Sequence, residues 1–477
     1  ILRGEWGFGG MVMTDWYGGE YATAQMEAGN DLLMPGKTAQ IAELRRAVTG
    51  GHLSMDIIDR NVRHILELIV KTPRFKGYVA DNNPDLKAHA AEARNVATEA
   101  VVLLKNEGAA LPLASGVKDV AVFGCTSYDF IAGGTGSGDV NHAYVVNLME
   151  GLSNAGLKVD KTLRKAYETY IPKAKAALPK PQGRLASFMP KQLVPEMEIS
   201  QKVLAGAVKR NDAAVITIGR TSGEFMDRRM EGNFCMTERE LKMLGDVCDA
   251  FHKAGKKVVV ILNVCGPVET YNWTSRPDAI LCTWLPGQEG GNAVADVITG
   301  KECPSGRLPM TWVRKYSDVN NRADFPMPDS ISSELIQAAI EGNISRRTTG
   351  TRRNFDYTEY NEGIYVGYRY YTTEGTNVAY PFGYGLSYTS FTKTQPVVSL
   401  NANGDLTVKT TVKNTGSVAG KDVVEVYVAA PGKDMPKPAR ELKGFAKTRK
   451  LQPGESQTVE LIICSFSVTS RSFSKSS

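Results

Sequence analysis

The clearest pattern along the chain is a series of short apolar runs set among stretches of helical spacing. Asp119–Phe123, Ala213–Ile218, Lys257–Leu262 and Ala279–Thr283 are too short for helices and apolar enough for strands buried on both faces. Between them, Val145–Asn154, Glu238–Ala254 and Gly290–Thr299 repeat apolar residues at helical intervals. Such alternation predicts a parallel or mostly parallel sheet layered between helices, an α/β domain. An alanine-rich helix from about Leu86 to Asn106 leads into it and ends at Gly108 and Pro112. Pro172, Pro179, Pro181, Pro190 and Pro195 predict a long surface excursion.

Two other patterns flank this region. Near the start, Met11–Met13 is a short continuous apolar run that ends abruptly in Thr14-Asp15-Trp16, the pattern of a strand buried on both faces. Ala28–Gly36 reads as a second short strand stopped by Pro-Gly. Ser54 then caps a helix with Ile58, Val62, Ile65, Leu66 and Ile69 at helical spacing, ending before Pro73. From about Gln395 the period changes to two. Leu406, Val408 and Thr410, then Val423, Val424, Val426 and Val428, punctuated by Asn414-Thr415-Gly416 and Pro453-Gly454, predict a small antiparallel sandwich. Residues 314–355 are polar, with Arg346, Arg347, Arg352 and Arg353 bunched in a solvated insertion.

Composition narrows the function classes. With 477 residues, 42% hydrophobic and 23% charged, the chain has room for about three globular domains. A net charge of +6 is small for this length and gives no reason to expect nucleic acid. Apolar runs such as Val258–Leu262 are too short for a bilayer. Seven cysteines without a CxxC pair read as reduced thiols and favour a cytoplasmic location. Five dispersed histidines show no metal-ligand spacing, so neither metal nor cofactor is expected. No secretory leader is legible, and residue 1 reads like the interior of a longer protein.

Candidate chemistry gathers at strand ends. Asp15 follows an apolar run, where a barrel strand would present a carboxylate to the active-site mouth, with Trp16 as an apolar platform beside it. A turn-capping role for Asp15 is the competing reading. Glu224 lies where the strand Ala213–Ile218 breaks into a loop, the edge at which ligands gather in open α/β sheets. Asp227 next to Arg228 looks like a structural ion pair. Gly133-Gly134-Thr135-Gly136-Ser137-Gly138 has a phosphate-cradling look, but no Lys-Ser or Lys-Thr follows, and a plain loop fits better than a nucleotide site.

Several of these stretches carry one resemblance. Gly7–Trp16 (GFGGMVMTDW) resembles the nucleophile motif of glycoside hydrolase family 3, the retaining β-glucosidases and β-xylosidases. Ala28–Gly36 is similar to the family's last barrel strand. Gly133–Asp139 resembles its GTGSGD loop, and Ser222–Arg228 its SGEGxDR segment, with Phe225 in place of the usual glycine. Trp284–Gly291, Gly300–Pro309, Glu362–Tyr371 and Tyr380–Thr389 are similar to its second domain and an aromatic joint, and the end of the chain to its fibronectin type III-like domain.

The resemblance implies the C-terminal part of a (β/α)8 barrel over 1–75 and an α/β sandwich over 76–313. An insertion and joint over 314–390 and a truncated fibronectin type III-like domain over 391–477 would follow, with Ser465–Ser477 departing from the final strand expected there. It implies Asp15 as nucleophile, Glu224 as general acid/base, and Trp16 and Ser137 as sugar contacts. The implied reaction is retaining hydrolysis of terminal non-reducing β-D-glucosyl residues from a small β-glucoside or oligosaccharide. A β-xylosidase, or an inactive fragment because the barrel is incomplete, are the alternatives. An acid/base in the second domain argues against the N-acetylglucosaminide branch. No nucleic acid and no membrane are expected as partners; an oligomer or a separately supplied barrel segment is.

Overall fold

The structure is a computed structural model that describes residues 1–16, 18–19, 21–180, 191–223, 228–322, 360–432 and 435–464. Glu224 and Asp227, the arginines from Arg346 to Arg353 and the tail from Ser465 lie outside the described residues. The chain divides into two compact units. Among the described residues, one spans 1–86 and the other the remainder.

The first unit is built from helices α1 (Ala22–Glu27), α2 (Thr38–Thr49) and α3 (Met55–Lys71). Ala22, Met26, Leu33, Ala47 and Leu53 form its small core. Ser54 caps α3 as the sequence predicts, its hydroxyl accepting from the Asp56 N–H at 3.1 Å. The buried strand predicted at Met11–Met13 is not formed. Met13 makes a single parallel bridge to Leu32, and Met13 itself is 52% exposed. The physical reason is the lack, among the described residues, of a second pairing partner on the other edge; an apolar run becomes a two-face-buried strand only between neighbours. The apolar stripe of α3 is likewise uncovered, with Val62, Leu66 and Ile69 exposed.

In the second unit, α4 (Leu86–Ala100) is shorter than the alanine-rich pattern predicts. From Val102 the chain is extended as β1 (Val102–Asn106), pairing antiparallel with β6 (Ala279–Cys282). The β-branched and leucine run Val101–Leu104 ends the helix, because it is fully buried against the sheet. The sheet order is β1-β6-β5-β4-β2-β3, with β2 (Asp119–Phe123), β3 (Lys158–Val159), β4 (Ala213–Arg220) and β5 (Val258–Val264). All pairs except β1–β6 are parallel.

Alternation along β4 and β5 sends side chains to opposite faces. Ala214, Ile216, Val260 and Leu262 pack on helices α6 (Lys161–Ala177), α7 (Gln201–Arg210) and α8 (Glu238–Lys253). Val215, Val259 and Ile261 pack on α5 (Leu148–Asn154) and α9 (Gly290–Ile298). The last two helices approach so closely that a Cβ on Gly151 would lie 2.0 Å from the Gly291 carbonyl oxygen. The glycines of Gly290-Gly291 thus serve helix packing as well as helix entry.

The proline excursion is corrected at its start: Pro172 lies inside α6. A proline there costs a helix about 3 kcal/mol. Burial of Leu163, Tyr167 and Ile171 on the same helix offsets it. Beyond α10 (Tyr368–Thr373), Tyr388 donates to the Val297 carbonyl at 2.9 Å, and Leu386 bridges Leu103, so the aromatic joint ties onto α9 and β1. The C-terminal sandwich holds β7 (Phe391–Lys393), β8 (Val397–Leu400), β9 (Leu406–Asn414) and β12 (Ser456–Ile463) in one sheet. A second sheet joins β10 (Val423–Val428) to β11 (Glu441–Lys447). Every pair is antiparallel.

Candidate active site

Asp15 sits in the first unit, exposed, directly after the Met13–Leu32 bridge. Its Oδ1 accepts from the Trp16 N–H at 2.7 Å and its carbonyl from the Gly18 N–H at 3.0 Å. The carboxylate therefore does cap its own turn, and one oxygen is held facing the next residue's backbone. Trp16 is 58% exposed, an open aromatic surface beside the carboxylate.

The anchor of this turn is a residue that sequence reading passed over. Asp31 is buried and gathers the Val12 N–H at 2.8 Å, the Arg3 guanidinium at 2.5 Å and His64 Nδ1 at 2.8 Å. Thr14 adds two ties, its N–H donating to the Leu32 carbonyl at 3.0 Å and its hydroxyl accepting from the Met34 N–H at 2.8 Å. The chain bearing Asp15 is thus fixed by polar contacts rather than by a strand ladder. The available signal was the polar Asp31 placed within an apolar run.

In the second unit the loops beyond the carboxyl ends of the strands are also tied down. Ser137 lies exposed in a 3₁₀ turn, Gly136–Gly138, with no α-helix opening from it. The loop begins where Asn263, fully buried at the end of β5, exchanges hydrogen bonds with the Ile131 backbone at 2.8 and 2.9 Å. The Asn263 amide also donates to the Trp284 carbonyl at 2.8 Å. Trp284 has a φ of 54°, a backbone conformation costly for a side-chain-bearing residue and often found at functional sites. The loop ends at Asp139, paired with Lys191 at 2.6 Å.

Glu224 itself is outside the described residues, but both flanks of its loop are fixed. Arg220, buried at the end of β4, makes a two-pronged pair with Glu240 at 2.7 and 2.9 Å. The Thr221 hydroxyl donates to the Lys191 carbonyl at 3.0 Å. Arg228 donates to the Asn233 side chain at 2.6 Å and to the Pro267 carbonyl at 2.7 Å, and burial holds its guanidinium below the usual range. Asn233 closes the circle by donating to the Thr221 carbonyl at 3.3 Å. Lys191 therefore touches both loops, the one with Ser137 through its ammonium and the one with Glu224 through its carbonyl.

A buried carboxylate lies nearby in the same unit. Glu196 accepts from the N–H groups of Cys125 and Met197 at 3.0 and 2.9 Å and from the Tyr167 hydroxyl at 3.1 Å. Burial pushes Glu196 above the usual carboxylate range despite these donors. It fastens the segment after Pro195 to the turn beyond β2. Gly124, with a φ of 94°, lets that turn lie against β4; a Cβ there would meet the Thr217 carbonyl at 2.2 Å.

The structure keeps Asp15 with Trp16 in one unit and gathers Ser137, Lys191 and the Glu224 flanks in the other. Among the described residues no cluster of three or more His, Cys, Asp or Glu stands ready for a metal ion, and all described cysteines are free. No helix there is long and apolar enough to cross a membrane.

Residues 101–388 match the glycosyl hydrolase family 3 C-terminal domain and residues 422–474 the fibronectin type III-like domain. Beta-glucosidase A of Butyrivibrio fibrisolvens is 35% identical over 413 residues, covering 77% of this chain and 45% of that protein. The exo-alpha-(1->6)-L-arabinopyranosidase of Bifidobacterium breve is 30% identical over 470 residues, covering 97% of this chain and 54% of that protein. The structure of beta-glucosidase 3B from Thermotoga neapolitana in complex with glucose superposes with a TM-score of 0.86 at 42% identity. That superposition covers 97% of this chain and 62% of the other. The chain thus spans about half the length of the curated relatives it matches. With the family's C-terminal domain matched over more than half of its residues, this chain belongs to glycosyl hydrolase family 3.

Proposed function

We propose that the chain carries the two catalytic carboxylates of a retaining β-glycosidase that removes terminal non-reducing β-D-glucosyl residues. The observation that carries this reading is the 42% identity to a beta-glucosidase solved with glucose, over 97% of this chain.

Asp15 is the nucleophile. One oxygen is engaged by the Trp16 N–H, which leaves the second oxygen for attack on the anomeric carbon. Glu224 first protonates the departing glycosidic oxygen and then, as the base, activates the water that hydrolyses the glycosyl–Asp15 ester. The two carboxyl groups must come within about 5–5.5 Å across the scissile bond for retention. Trp16 offers an aromatic face to the sugar's C–H surface, and Ser137 a hydroxyl contact. Glucosides are favoured over xylosides because relatives at 35% and 42% identity are named beta-glucosidases. An arabinopyranosidase at 30% identity makes the sugar itself the point to test.

The test is turnover of aryl β-D-glucoside, β-D-xyloside and α-L-arabinopyranoside by the purified chain, by Asp15→Asn and by Glu224→Gln. The expected outcome is fastest turnover of the glucoside, falling by at least about 10³-fold in Asp15→Asn. Glu224→Gln should hurt substrates with poor leaving groups most, since the acid is needed least when the departing phenol is acidic. Turnover that is unchanged in Asp15→Asn would overturn the assignment. A chain with no turnover on any of the three would favour the inactive reading.

A further inference from the structure

We propose that the pocket between the aromatic joint and the C-terminal sandwich binds a single pyranose ring, independently of Asp15 and Glu224. The pocket has a volume of about 250 Å³. That is below the roughly 300–1,000 Å³ of sites that take drug-sized ligands, and it suits one sugar ring rather than an oligosaccharide.

Its walls are aromatic and preorganised. Tyr368 and Phe382 lie with ring centroids 4.7 Å apart, and Tyr427 stands edge-on to Tyr368 at 6.1 Å. Both phenol oxygens are fixed: the Leu442 N–H donates to Tyr368 at 2.7 Å, and Tyr427 donates to Glu425 at 2.7 Å. The rings therefore hold their orientation without a ligand, which lowers the ordering cost of binding.

The rim supplies donors with nothing to do. Arg440 lies over the Tyr427 ring, 4.9 Å from its centroid, and is exposed. Among the described residues it pairs with no carboxylate, and the hydroxyls of Thr372 and Thr376, which also line the pocket, donate to no side chain or carbonyl. A pyranose has the matching chemistry: a C–H face for the aromatic walls and a ring of hydroxyl acceptors for a guanidinium and two hydroxyls. A purely apolar ligand would leave Arg440 desolvated without compensation. The pocket is built by Thr311, α10, the loop to Phe382 and the β10–β11 sheet, and all belong to the second unit.

The test uses the full chain and methyl β-D-glucoside at up to tens of millimolar, with amide hydrogen exchange read over residues 368–382 and 425–442. The expected result is saturable protection there, the same in Asp15→Asn as in the parent. Arg440→Gln should weaken it about tenfold and Thr376→Val severalfold. Arg440 is exposed, so these variants should keep the parent's unfolding temperature; Thr376→Val is the check should Arg440→Gln lower it. No protection in these segments, equal protection by glycerol at the same concentration, or protection indifferent to both substitutions would each overturn the proposal. Because Asp15→Asn is one arm, loss of the catalytic reading would show in turnover and not in this readout.

Discussion

Met11–Met13 and Val258–Val264 are runs of the same kind, yet they reach opposite ends of the burial scale. The first ends in a single bridge to Leu32, with Met13 52% exposed. The second, β5, is buried along its whole length between β4 and β6, with a helical layer on each face. Both runs are mostly apolar; what differs most is the number of neighbours. A strand's stability lies in its flanking ladders and facing helices. The first unit substitutes for them with a polar fastening around Asp31, while the second relies on packed volume.

The sharpest way to break this comparison is to truncate one apolar residue in each region. Leu262→Ala removes a fully buried side chain from β5 and should cost about 3–5 kcal/mol, read as a shift in the denaturant midpoint. Met13→Ala removes a half-exposed one and should cost well under about 1 kcal/mol. Equal costs would mean that Met13 is far better buried in solution than the structure shows.

Asp31→Asn attacks the other kind of fastening. It keeps the shape but strips the charge that Arg3 and His64 face, leaving two donors without a counter-charge. The expected cost is about 2–3 kcal/mol, felt locally. Hydrogen exchange at Val12 and Thr14 should speed up while the amides of β4 and β5 keep their protection. If instead both regions loosened together, the fastening around Asp31 would not act locally.

How far the sequence carried these distinctions depended on which physics each one needed. β2, β4, β5 and β6 were legible because runs buried on both faces announce themselves by apolarity alone. The Ser54 cap and the helices around Glu238 and Gly290 were legible from local chemistry. The failures share a cause. The alanine-rich spacing that runs up to Val102–Asn106 predicts helix there, whereas its partner β6 is far away in sequence. Pro172 was read as a breaker, since nothing local reveals the buried face of α6 that carries it. For the site, Asp15 and Trp16 stand out by their place after an apolar run, and Ser137 by motif resemblance. Asp31, Asn263 and Glu196 do not, because a buried polar residue is recognised only by the partners that surround it.

Asp160 tests a polar fastening inside the region ruled by packing. It caps α6 through the N–H groups of Thr162 and Leu163 at 2.8 and 2.9 Å and pairs with Arg210 and Asn211. Burial pushes its carboxyl up, but the Leu163 N–H, Asn211 and Arg210 outweigh it and hold the value below the usual range. A depressed folded value means stability present above the unfolded carboxylate value, near about 3.9, and lost as pH falls through the folded one. Asp160→Asn keeps a capping oxygen and should cost about 1–2 kcal/mol at neutral pH. Chemical unfolding of parent and variant from neutrality down to pH 3 should show the two curves converging. A gap that widens on acidification would reverse the sign of the argument.

The smallest expected effect sits on the residue that links two site loops. Lys191 pairs with Asp139 while both side chains remain substantially solvated, and exposed pairs of this kind contribute about 0–1 kcal/mol. Lys191→Met should therefore leave the unfolding temperature almost unchanged, in contrast with Asp31→Asn. Its carbonyl still accepts from Thr221, so the flank of the Glu224 loop keeps its tie while the Ser137 loop loses one. If Ser137 helps hold the sugar, KM for an aryl β-glucoside should rise about two- to fourfold with kcat nearly constant, the pattern of lost ground-state binding. Lys191→Arg should restore KM by re-forming the pair with Asp139. A fall in kcat at unchanged KM would place the effect on the Glu224 loop instead, and an arginine variant that fails to rescue would show that the ammonium's charge is not what positions the loop.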